Sequence, residues 1–72
     1  MTYLTSIIED RWVEAVATPT IARWKTLSQM AAQLADALEE HDPDNIAVVA
    51  HRAVYREAYS RMLAMEPVRM EA

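Results

Sequence analysis

Residues 24–65 read WKTLSQMAAQLADALEEHDPDNIAVVAHRAVYREAYSRMLAM, and the fold turns on how this stretch divides. Trp24, Leu27, Ala31, Leu34, Leu38 and His41 follow one another at intervals of three and four, which keeps them on one face of a helix. Val48, His51, Tyr55, Ala58, Met62 and Met65 repeat the same intervals, with Arg52, Arg56 and Arg61 off the stripe. Between the two stripes stands His41-Asp42-Pro43-Asp44. Asp42 is expected to be an N-cap there, with Pro43 at the first helical position and Asp44 in the first turn, facing the positive end of the helix dipole. So short a connection makes the two helices antiparallel. Folding the stripes together sets Leu38 near His51, Leu34 near Tyr55, Ala31 near Ala58 and Leu27 near Met62. The alanine layer lets the backbones approach. The sequence predicts a helical hairpin.

Upstream, Ser6-Ile-Ile-Glu9 has the form of a capping box, in which each side chain satisfies a free backbone N–H. Leu4, Ile7, Ile8, Trp12, Ala15 and Val16 share a face, from which Arg11 projects within reach of Glu14. Thr18-Pro19 breaks this helix and opens the next, with Thr18 or Thr20 as cap. Glu66-Pro67 stops the third helix and leaves a frayed tail. The expected architecture is all-α: one domain over 1–72, two long antiparallel helices plus a shorter N-terminal one, with helices at about 5–17, 19–40 and 43–65.

A chain of 72 residues buries only about 60% of its unfolded surface, and such a core supplies roughly 3–5 kcal/mol. With no cysteine, disulfides and thiolate metal sites are ruled out. An apolar fraction of 53% is high for so little interior and predicts apolar surface covered by a partner, with a homodimer expected. Glycine is absent as well. Phosphate loops, dinucleotide fingerprints and nucleophile elbows all need it, so none of these can be built here. Charges interrupt the first residues, and no run approaches the roughly 20 apolar residues of a membrane span. The expectation is a cytoplasmic protein without membrane contact.

The candidate chemistry is thin. His41 and His51 are the two histidines, without the further ligands a metal needs or the Glu-x-x-His pattern of di-metal bundles. Asp42-Pro-Asp44-Asn45 lacks the glycine and terminal glutamate of a calcium loop. Ser28 and Ser60 are expected on solvated faces, and no serine has a histidine three or four residues away. No catalytic residue, metal or cofactor is assigned, and the chain is read as a non-enzyme.

Net charge is −4, unevenly placed, for residues 36–44 hold Asp36, Glu39, Glu40, Asp42 and Asp44 with no base. An acidic chain is a poor candidate for direct nucleic-acid binding, whose affinity comes from neutralising phosphates. Three function classes remain. The first is a non-catalytic protein–protein interaction module, a homodimeric bundle binding a protein through Trp12, Trp24, Tyr55, Tyr59 and Met62. Trp24 is its expected anchor, so that Trp24→Ala weakens assembly more than folding. The second is a small acidic inhibitor of the phage or mobile-element type, which presents those five carboxylates to a basic, nucleic-acid-binding surface. The third is an RNA- or DNA-binding hairpin dimer that uses its arginines.

Overall fold

Helices α1 (Ser6–Ala17), α2 (Ile21–His41) and α3 (Ile46–Met65) account for nearly all of residues 4–66, the part of the chain that the computed structural model describes. The tail expected after Glu66 lies outside these residues. α2 and α3 pack against each other along their length as the predicted hairpin, and α1 lies against α2. Leu27, Ala31, Ala58 and Met62 share one core cluster with Ile8, Ala15 and Trp24, and Leu4, Trp12, Met30, Leu34 and Val54 pack around it. Small side chains on both helices bring the hairpin together but fill little volume. The largest fully buried side chains are Ile8, Leu27 and His51.

The helix ends follow from the missing glycine. Helices often close on a residue of positive φ, usually glycine, and here no described residue has positive φ. Instead Thr18 and Asp42 leave their helices at negative φ, −138° and −152°, with ψ of 80° and 81°, each still donating its N–H to the last turn. Pro43 therefore plays a different part from the one expected. Asp42 ends α2 rather than starting α3, and Asn45 donates its N–H to the Asp42 carbonyl at 3.0 Å. Asp42-Pro43-Asp44-Asn45 is thus a hydrogen-bonded turn with proline at its favoured second position. Asn45 is the cap, its Oδ1 accepting from the Ala47 N–H at 2.9 Å. Asn45→Ala should cost about 1 kcal/mol, whereas Asp42→Ala should stay within about 0.5 kcal/mol. Urea unfolding midpoints of the two variants check this, and the reverse order would return the cap to Asp42.

The other starts shift too. Thr20 rather than Thr18 caps α2, its Oγ1 accepting from the Arg23 N–H at 3.0 Å. The Ser6–Glu9 capping box is not formed. Thr5 is the N-cap of α1 and makes no side-chain cap bond. Its hydroxyl instead lies 3.4 Å from His51 Nε2, so a long-range contact has displaced a local one.

The molecule is flat, with extents of 46 × 28 × 15 Å. Its radius of gyration is 13.5 Å, against about 11 Å for a compact chain of this length. It exposes 5295 Å², where a compact protein of its mass exposes about 4,500 Å².

Candidate interaction surfaces

Trp12 and Trp24 meet edge to face, with centroids 5.5 Å apart and planes at 72°, the arrangement that aromatic quadrupoles favour. The Arg61 guanidinium sits 5.1 Å from the centroid of each ring and is held there by Glu57 at 2.8 Å. This cluster joins all three helices, and it is mostly internal. Trp24 is 2% exposed and Met62 is 8% exposed. The expectation that Trp24 anchors an interface does not fit this burial, because its surface already packs against Trp12, Arg61 and the core. Trp12 is half-buried and borders a shallow, nearly apolar groove of about 300 Å³ with Leu4, Ala53, Val54 and Glu57. A second groove of similar size, lined by Pro19, Trp24, Arg61, Ala64 and Met65, lies at the open end of the hairpin.

The other two aromatic residues named from sequence point elsewhere. Tyr55 and Tyr59, one turn apart on α3, stack with centroids 6.0 Å apart and planes at 30°. They are 36% and 43% exposed. Leu63 continues the row one turn further and is also exposed. At 100° per residue, this row lies about half a turn around α3 from Ala53, Val54, Glu57 and Arg61, the side that meets α1. α3 thus carries apolar surface on both flanks.

The acidic run does not act as one block. Arg52 Nη2 reaches from α3 to Asp36 Oδ1 at 3.1 Å and to Glu39 Oε2 at 2.9 Å. The Glu39 hydrogen bond first, and then that of Asp36, hold the Arg52 guanidinium above its ordinary pKa. Glu40, Asp42 and Asp44 remain exposed at the turn, with no ion pair among the described residues. The arginines are also largely engaged. Arg11 bonds Glu14 at 3.1 Å, Arg23 donates to the Thr18 carbonyl at 2.8 Å, and Arg61 is held as above. Lys25 and Arg56 are exposed and make no ion pair among the described residues.

The histidines part company. His41, expected on the apolar stripe, is exposed at the end of α2, because the stripe outruns the packed length of the hairpin. His51 is fully buried, with Nδ1 2.6 Å from the Ala47 carbonyl and Nε2 accepting the Thr5 N–H at 3.3 Å. These partners place the ring proton on Nδ1. Periodicity put His51 on the core side, but nothing local in the sequence signals its bond to Thr5, 46 residues away. Ser28, expected on a solvated face, is buried and donates to the Lys25 carbonyl at 2.7 Å, since α2 has a neighbouring helix on two sides. Among the described residues no group of three or more His, Asp or Glu side chains converges, and no helix is long and apolar enough to cross a membrane.

Fold and surfaces together define a small all-α unit with apolar patches on two sides of one helix. Compared with known proteins, the chain matches no family model, no curated protein and no solved structure.

Proposed function

We propose that this chain is a non-catalytic protein–protein interaction module whose partner docks into the groove beside Trp12. One observation carries the reading. The groove between α1 and α3 is walled by Leu4, Trp12, Ala53 and Val54 and stays open, although the core lies directly beneath it. A half-buried tryptophan in an apolar recess is the kind of residue on which interface energy concentrates. The charged residues support the same ranking. Arg52 pairs with both Asp36 and Glu39 and offsets one of their two charges, which thins the acidic face that an inhibitor would present. The engagement of Arg11, Arg23 and Arg61 within the chain likewise thins any basic face for nucleic acid.

The test is affinity capture from the native lysate at low and high salt, with Ala53→Arg alongside the wild type. Ala53 is exposed on the rim of the groove, and arginine is a good helix former, so the variant blocks the recess without unfolding the helix. The expected result is a specific protein retained at high salt and lost with Ala53→Arg. Capture that fails at high salt, ignores Ala53→Arg and is abolished by Glu40→Lys with Asp44→Lys would move the reading to the acidic inhibitor.

A further inference from the structure

We propose that a second copy of this chain covers the Tyr55–Tyr59–Leu63 row, the two copies related by a two-fold axis with their α3 helices antiparallel. The inference stands apart from the Trp12 groove and uses the opposite side of α3, which leaves that groove free in the dimer.

Area gives the first argument. The chain exposes 5295 Å², roughly 800 Å² more than a compact protein of its mass. That excess matches the share each partner contributes to a standard interface, about 800 Å². Thickness gives the second. A helical hairpin is a single layer with two faces, whereas stable domains enclose their core between two layers. α1 covers part of one face, and the molecule is only 15 Å through its thinnest direction. The uncovered face is the one carrying stacked Tyr55 and Tyr59, with Leu63 beyond them. Tyrosine is enriched in interface cores, and a two-fold contact needs one patch that fits itself.

Charge fixes both the occupant and its direction. The turn end of the hairpin carries Asp36, Glu39, Glu40, Asp42 and Asp44 against Arg52 alone. At the open end Arg23 and Lys25 outweigh Glu66, and Arg61 is balanced by Glu57. Each molecule is therefore a short rod with an acidic and a basic end. Side by side in the same direction, two copies would set acid against acid. Antiparallel, with the axis near Tyr59, each Lys25 comes level with Asp36 of the other copy. Lys25 lies on the same flank of α2 as Asp36, eleven residues or about three turns away, as this pairing requires. An unrelated partner would have to supply that alternation, and a second copy supplies it automatically.

Because the chain has no cysteine, one introduced thiol reports the arrangement without ambiguity. Arg56→Cys places it beside Tyr59, close to the proposed axis, and Val13→Cys places it on the exposed side of α1. Under mild oxidation Arg56→Cys should cross-link to a covalent dimer, and Val13→Cys should stay monomeric. In sedimentation equilibrium the wild type should be a dimer. Tyr59→Asp should raise its dissociation constant by about a hundredfold, since symmetry introduces the substitution twice, and should leave the helical signal intact. A monomeric wild type overturns the proposal, as does a dimer that tolerates Tyr59→Asp or cross-links through Val13→Cys. The two readings fail separately. A monomer that still loses its captured partner with Ala53→Arg sinks the dimer alone. A dimer with no captured partner sinks only the module.

Discussion

Trp24→Ala should leave this chain without a cooperative folded state at 25 °C. Trp24 is 2% exposed, and three helices depend on it, since it contacts Trp12 of α1 and the Arg61 guanidinium of α3. Truncating a buried tryptophan costs about 3–5 kcal/mol through lost transfer energy and the cavity left behind. A core of this size supplies roughly 3–5 kcal/mol in total, so the loss is comparable to everything available. The site cannot collapse easily, because its neighbours Leu27 and Ala31 are held by helix–helix packing. Urea titration followed by circular dichroism decides the matter. The expected outcome is a non-cooperative decline with no folded baseline. A two-state transition within about 1 kcal/mol of wild type would show that the tryptophan pair belongs to the surface and not to the core.

This reverses the effect expected from the sequence, and the reason shows what periodicity can and cannot supply. The stripe through Trp24, Leu27, Ala31, Ala58 and Met62 placed each of these residues on the hairpin seam, where they lie. Periodicity reports a direction around the helix axis, and direction was legible. It does not report what stands opposite, so it could not show that α1 brings Trp12 to cover Trp24. The same gap explains Ser28, which alternation left outside and a second neighbouring helix buried. At the turn the difficulty was of another kind. Proline is as well suited to the second position of a turn as to the first of a helix, and Asp42 and Asn45 are both good caps. Local chemistry allowed two solutions three residues apart, and the turn bond between Asn45 and Asp42 selected one. Of the candidate surfaces, the tyrosines were named from sequence because they are large and apolar. The groove beside Trp12 was not, because its walls come from residues more than 35 apart in the chain.

His51→Leu should release α1 while leaving the α2–α3 hairpin folded. α1 packs against α2 and reaches α3 through side chains, so the bond from the Thr5 N–H to His51 Nε2 fastens its first turn. Leucine has a similar volume and fits an apolar site, but it accepts no hydrogen bond. The half-buried Thr5 N–H then loses its partner, at about 1–3 kcal/mol. Amide exchange should resolve where that cost falls. Protection in α1 should drop by about tenfold or more. In α2 and α3 it should change much less. Equal losses in all three helices would make the chain one cooperative unit and remove the fastener role. A second substitution separates the lost hydrogen bond from altered packing. Thr5 has φ −67°, the value proline prefers, so Thr5→Pro fits the backbone and removes the stranded donor. In the wild type that change should weaken α1, since it discards the bond. Combined with His51→Leu, it should restore part of the lost protection, because no unsatisfied N–H remains. Additive losses in the double variant would instead assign the effect of His51→Leu to packing around the ring.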